Sequence, residues 1–179
     1  MRKLFLLCLA LTALAACDTS QEFAPDENAG MQVANKVSIF ESQDNQKKWV
    51  LQAQSVDFSD MQTATLKNPE LLLKENGKDS ASVTGKTGSF DYLKKKVSIE
   101  GNAKIQSFAQ QVVITADRFF YDVNKNRIWS DDKTVITRGG VKVTAREGVV
   151  TDSKLNNIEI KKQTTKLPTN TQELKNTSL

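Results

Sequence analysis

The chain has 179 residues, with 25 Lys and Arg against 21 Asp and Glu, no His, two Cys and a formal net charge of +4. A nearly balanced charge spread along the chain is not the footprint of a nucleic-acid-binding protein, and the lack of His removes the commonest general base and metal ligand. The length suits one domain with a sizeable core.

The first elements are an address. Arg2 and Lys3 open the chain, and Leu4 to Leu14 follow as an apolar run of eleven (LFLLCLALTAL) before the small Ala15 and Ala16. A spanning helix needs about 20 apolar residues, so residues 1–16 read as a signal peptide and are excluded from the fold. Leu14-Ala15-Ala16-Cys17 resembles the lipobox of bacterial lipoproteins, in which the Cys carries diacylglycerol. Two or more acyl chains anchor stably, at about 0.8 kcal/mol per buried CH₂. The plainer reading is an ordinary signal with an incidental Cys. Asp18 resembles the inner-membrane retention signal of enterobacterial lipoproteins; otherwise it simply opens a polar linker. Without residues 1–16 the chain keeps 163 residues and 23 basic against 21 acidic side chains. Cys17 is then its one cysteine, so the domain must hold together without a disulfide.

Residues 17–34 form the lipidated start and a polar tether containing Pro25 and Gly30. Residues 35–161 form the domain, and 162–179 a Thr-, Asn- and Lys-rich tail. Along the domain apolar residues alternate: Trp49 with Leu51, Val56 with Phe58, Phe90 with Tyr92, Val97 with Ile99, Val141 with Val143, Ile158 with Ile160. Period two with β-branched and aromatic enrichment predicts strands, and no sustained helical stripe competes. Turn signals are frequent: Asn68-Pro69, Asn76-Gly77, Gly101-Asn102, Asn124 to Asn126, Gly139-Gly140. Asn76-Gly77 is the strongest hairpin signal.

A longer period lies over the short one. Asp60, Asp91, Asp122 and Asp152 are 31, 31 and 30 residues apart, and each is followed six residues later by an apolar residue: Leu66, Val97, Ile128, Ile158. Small residues precede the units at Ala53, Gly88, Ala116 and Ala145. Strand-turn-strand units of about 30 residues stack to bury a shared core. The recurring Asp reads as a turn residue accepting backbone N–H bonds, not as a catalytic acid. The predicted fold is all-β, a twisted β-jelly roll or open sandwich.

Its inner positions are Val56, Phe58, Phe90, Tyr92, Val97, Ile99, Ile105, Phe119, Tyr121, Ile128 and Val135. Two readings fit them, a dry core or an apolar groove between incompletely sealed sheets, and periodicity does not separate the two. Phe119-Phe120-Tyr121 must point to both faces of its strand, and Trp129 beside Ile128 poses the same question. Such a stack has ends with unpaired backbone groups. The C-terminal end, with Val149, Ile158 and Ile160, is the candidate edge for a partner's strand, and the polar tail after Lys162 is a candidate cover.

Several segments together resemble the LptC family of lipopolysaccharide-export proteins. They are Trp49-Val-Leu-Gln-Ala53, Ala64-Thr-Leu-Lys-Asn-Pro69-Glu-Leu71, Gly88-Ser-Phe-Asp91, Val97-Ser-Ile-Glu-Gly101-Asn102-Ala103, Ile114-Thr-Ala-Asp-Arg-Phe-Phe-Tyr121-Asp122, Gly148-Val-Val-Thr-Asp152 and Leu155-Asn-Asn-Ile158-Glu-Ile160. The resemblance implies a periplasmic β-jelly roll on the periplasmic face of the inner membrane, with a groove for lipopolysaccharide acyl chains. It implies as partners an ABC transporter complex of the LptB, LptF and LptG kind, and an LptA-like periplasmic bridge protein joined by strand augmentation. It implies no cofactor. A lipobox stands here where many members have a transmembrane helix, and Ala103 where Val often follows Gly-Asn. Lys94, Lys95, Lys96 and Arg118 are candidates for a rim near lipid phosphates, against the plainer reading of a solvated charged face.

Other classes fit less well. An enzyme would need a nucleophile or base, and the chain has no His, no free cysteine in its domain, no G-x-S-x-G and no Gly-rich phosphate loop. No metal site is expected. Asp122-Val-Asn124-Lys-Asn126 begins like a calcium loop, but its sixth position is Arg127 and its twelfth Lys133. An envelope scaffold lipoprotein without lipid cargo, or an LptA-like bridge protein, remains as the alternative. A sealed interior speaks for a scaffold, and an open apolar cleft for a carrier.

Overall fold

The computed structural model describes residues 33–43, 45–58 and 60–166. The signal peptide, Cys17, Asp18, most of the tether and the end of the tail lie outside them. Among the described residues there is no helix long and apolar enough to cross a membrane. The elements are all strands: β1 (Val33–Gln43), β2 (Gln46–Asp57), β3 (Thr63–Lys67), β4 (Glu70–Glu75), β5 (Lys78–Thr84), β6 (Thr87–Asp91), β7 (Lys96–Ser107), β8 (Val112–Asp122), β9 (Arg127–Ser130), β10 (Thr134–Arg138), β11 (Val141–Ala145), β12 (Val149–Asp152), β13 (Ile158–Ile160) and β14 (Gln163–Lys166). Strand β1 starts within the stretch read as tether. β14 lies within the expected tail and pairs with β11, so that part of the tail does cover an edge.

Every pairing is antiparallel, and the long strands change partners along their length. The first half of β2 pairs with β4 and its end with β3. The start of β7 pairs with β6 and its end with β5. The start of β8 pairs with β10 and its end with β9. The sheet is therefore folded into two layers that share β1, β2, β7 and β8. The first layer runs β1-β2-β4-β5-β7-β8-β10-β11-β14, and the second runs β1-β2-β3-β6-β7-β8-β9-β12-β13. This is the expected jelly roll.

The layers face one another across the core. Leu51, Leu71, Val83, Ile105 and Ile114 come from the first, and Val56, Leu66, Val97, Ile99, Phe119 and Ile128 from the second, all nearly inaccessible to solvent. Where the chain crosses between layers the side chains are small: Ala53, Gly88, Ala116 and Ala145 are buried there, matching the spacing seen in the sequence. A bulge between Glu100 and Ala103 carries β7 across, with Gly101 at φ 78 and Asn102 at φ 57. At the C-terminal end the crossing is zipped. The Arg146 N–H donates to the Lys162 carbonyl at 2.9 Å and the Lys161 N–H to the Gly148 carbonyl at 3.1 Å.

The repeated Asp residues do the turn work expected of them. Asp60 accepts the Gln62 N–H, Asp91 that of Lys94, Asp122 that of Lys125, and Asp152 those of Lys154 and Asn156, at 2.7 to 3.1 Å. Asn76 (φ 51) and Gly77 (φ 76) make the tight hairpin between β4 and β5, in the doubly left-handed geometry that pair favours.

Gly148 tests the crossing. It sits at φ 91, and a Cβ there would lie 1.9 Å from the Ser130 carbonyl oxygen. Gly148→Ala should therefore cost at least about 2 kcal/mol, read as a lowered urea midpoint. An unchanged midpoint contradicts this account of the crossing.

Candidate functional site

The candidate site is the space between the layers and its opening. Of the inner positions named from the sequence, Val56, Phe90, Val97, Ile99, Ile105, Phe119, Tyr121 and Ile128 are buried in one apolar cluster, and Phe58 and Tyr92 pack against it half-buried. Val135 is the exception. Strand β10 turns Thr134 and Ile136 inward, which leaves Val135 half-buried on the opposite face. Two β-branched neighbours in a five-residue strand give alternation no way to choose between them. The interior is closed: the space left beside Leu71, Val83, Val97, Ile99, Phe119 and Ile128 is about 170 Å³ and admits no water molecule at any point.

The edge residues divide. Ile158 and Ile160 sit on β13, which pairs only with β12 among the described residues. Val149 is a correction. Its strand β12 is paired on both sides, with β9 and β13, and Val149 is fully buried. Among the described residues β14, β13 and, at the other end, β1 are the strands with an unpaired side.

The layers part at their turn ends, opposite the crossings, and there a cavity of about 330 Å³ opens. Its floor includes Trp49 and Tyr121, one from each layer. Side-chain contacts within and between the layers close this mouth. Trp49 meets the edge of Phe90 at 6.0 Å, and Phe90 that of Tyr92 at 5.1 Å. The indole N–H of Trp49 donates to Glu41 at 3.2 Å, and Lys95 reaches the same carboxylate at 3.9 Å. Lys154 pairs with Glu75 at 2.5 Å, and the Gln110 amide donates to Asn156 at 3.0 Å. Between these last two lies Leu155, at φ 58 and buried in the core cluster. The β12–β13 turn thus puts one apolar side chain between the layers and ties both flanking residues to the first layer.

Of the basic residues named from the sequence, only Lys95 closes the mouth. Lys94 pairs with Asp91 inside its own turn, holding that carboxyl below its ordinary range through the Lys94 backbone N–H bond first and the Lys94 ammonium second. Lys96 lies over Trp129, and Arg118 lies near Phe120 and pairs with Glu100. Phe120 and Trp129 stack at 5.1 Å on the outer face of the second layer, which answers where the middle aromatic of the triplet points. The mouth lysines Lys47, Lys48, Lys74 and Lys154 went unread. Lys47 and Lys48 come from β2, Lys74 from β4 and Lys154 from the β12–β13 turn, and no local spacing links the three places.

The sequence matches the family described as lipopolysaccharide-assembly, LptC-related, over residues 4–167. The chain belongs to the LptC-related family. Its role is in lipopolysaccharide transport in the periplasm. Among curated proteins none matches significantly. A solved structure similar to this chain is LptH from Pseudomonas aeruginosa, the LptA-homologous periplasmic component of the lipopolysaccharide transport device. It is 15% identical, with 77% of this chain and 94% of that chain covered and a TM-score of 0.46.

Burial raises the hydroxyl of Tyr121 to about 12, with Glu41 and Asp122 adding to the effect, and burial also raises that of Tyr92. A raised value means that the folded state holds its proton more tightly. The stability this gives is fully present below the ordinary tyrosine value near 10 and is lost as pH rises from there through about 12. Tyrosinate absorbance should therefore appear only above the ordinary midpoint, together with loss of fold, and Tyr121→Phe should soften the alkaline loss. A tyrosinate signal at the ordinary midpoint in folded protein contradicts the burial of Tyr121.

Proposed function

We propose that this chain is a lipid-anchored, inner-membrane component of lipopolysaccharide export. In this reading Cys17 carries the lipid, Asp18 keeps the protein at the inner membrane, and the polar stretch to residue 32 tethers the domain on the periplasmic side. The domain takes lipopolysaccharide from an LptB, LptF and LptG-like ABC transporter complex and passes it to an LptA-like bridge protein. The acyl chains travel between the two layers, against Val56, Phe58, Phe90, Tyr92, Val97, Ile99, Ile105, Phe119, Tyr121 and Ile128, where water is excluded.

The observation that carries this reading is the continuous apolar interior bounded, among the described residues, by strands with an unpaired side at both ends of the stack. At one end β1 offers its outer side to the transporter. At the other, β13 offers a free ladder, and Ile158 and Ile160 face inward beside it. A strand added there extends the hydrogen bonds and the apolar lining together. Transport energy comes from the transporter, so the domain only has to shield chains and release them.

A second reading has one observation in its favour. The interior is closed in this structure, as a scaffold without lipid cargo requires. Membership of a lipopolysaccharide-assembly family weighs against it, and so does the nature of the closure. The pairs across the mouth are solvent-exposed, and such pairs contribute roughly 0–1 kcal/mol each.

Photo-crosslinkers separate the readings. Placed at Phe90 or Tyr121, they should capture lipopolysaccharide in cells, while one at Val135 should not. Capture at Val135 alone sinks the groove, and capture nowhere favours the scaffold. Separately, Cys17→Ala behind a cleavable signal should release the protein from membranes. Retention of that variant removes the lipid anchor from the proposal.

A further inference from the structure

The mouth is more than a seam, because charge is gathered there over an apolar floor. Lys47, Lys48 and Lys74 reach the cavity from the first layer and Lys154 from the second, against two carboxylates, Glu41 and Glu75. Both carboxylates are already engaged, Glu41 with Trp49 and Lys95, Glu75 with Lys154. Lys74 is itself paired with Asp79, so the positive excess of the lining rests on Lys47 and Lys48, and it stands directly above the two aromatic side chains, Trp49 and Tyr121, that begin the sealed interior. That arrangement fits an amphiphile with a phosphate-bearing head and apolar chains. Phosphate oxygens take charge-assisted bonds from ammonium groups, and the chains continue inward.

The Lys154–Glu75 pair links this site to the closed interior. Lys154 belongs to the turn that carries Leu155, and its partner Glu75 is one of the two ties that hold the turn to the first layer. A phosphate bound by Lys154 competes directly with Glu75. Resting on the carrier reading above, we propose that the mouth is a gated site for a phosphate-bearing lipid headgroup, in which the headgroup takes Lys154 from Glu75 and the freed β12–β13 turn withdraws Leu155 from between the layers. The headgroup that docks is then also the key that opens the way for its own chains. Lys154 acts as a ligand to the head, and Glu75 acts only as the clasp.

The two roles come apart in two variants. Glu75→Gln and Lys154→Gln remove the same exposed ion pair, so both should fold and both should loosen the turn. Only Lys154→Gln removes a cation from the headgroup. The experiment loads the full-length chain with lipid A carrying its phosphates, or with the same lipid dephosphorylated, and reads the rate and extent of loading. The wild type should prefer the phosphorylated lipid about tenfold, the size expected of one or two charge-assisted bonds. Glu75→Gln should load both lipids faster and keep the preference. Lys154→Gln should also load dephosphorylated lipid faster, but its preference should fall several-fold. Equal preference in the two variants, or no preference in the wild type, overturns the site. Acceleration of dephosphorylated lipid by inorganic phosphate that persists in Lys154→Gln also overturns it, because phosphate would then act elsewhere than on the clasp. Failure of the wild type to load either lipid overturns the carrier reading itself, and this site with it.

Discussion

Four strands have to serve two layers, and the rest of the molecule follows from how they do it. A strand passing from one layer to the other must keep its inward side chains inward while the meaning of inward changes. In β1, β2 and β8 the inward residues step by three at the crossing in place of two: Ala34 to Val37, Ala53 to Val56, Ala116 to Phe119. In β7 the bulge at Gly101-Asn102 does the equivalent work with a step of four, Ile99 to Ala103. Small residues stand at these steps because the layers converge there. Gly148, with no room for a methyl group, marks the tightest of the approaches. The ladders resume on both sides of each crossing with a new partner or after a bulge, so hydrogen-bonded strands tie the two layers together without any disulfide.

The long repeat is the chemical counterpart of this geometry. Each repeated Asp caps a turn at the far end of its strand pair by accepting backbone N–H groups. In three of the four units lysines follow within four residues: Lys94 and Lys95 after Asp91, Lys125 after Asp122, Lys154 after Asp152. A device for making turns thereby lays cations along the rim of the second layer. The last unit differs in one respect. Its turn sends Leu155 inward and ties itself to the opposite layer, so the unit closing the stack also closes the mouth.

Much of this was legible in the sequence. Alternation marks the strands, Asn76-Gly77 the hairpin, and the Asp spacing the repeat. The phase slip itself can be read, since Trp49 and Leu51 are odd-numbered while Val56 is even. Val135 and Val149 show where local pattern ends. In the first, Val and Ile are adjacent and packing alone chooses Ile136. In the second, a four-residue strand near the end of the stack is covered by the Ile158–Ile160 strand, which alternation marks but whose place beside β12 it does not give. The mouth was hidden for a different reason. Lys154 and Glu75 are 79 residues apart, and no periodicity links them, because their meeting depends on the fold as a whole.

The zipped C-terminal crossing has a mechanical consequence. Lys161 and Lys162 are all that joins β13 in one layer to β14 in the other, and both bond to the segment by which β11 becomes β12. The spine of the molecule is therefore stitched at this end as firmly as where β7 and β8 cross. The two layers cannot separate from the spine. They can only spread like the covers of a book, widest at the fore-edge, where exposed side chains rather than backbone hold them shut. Under the carrier reading proposed above, a cargo chain would then enter sideways along the stack and need not be threaded from one end.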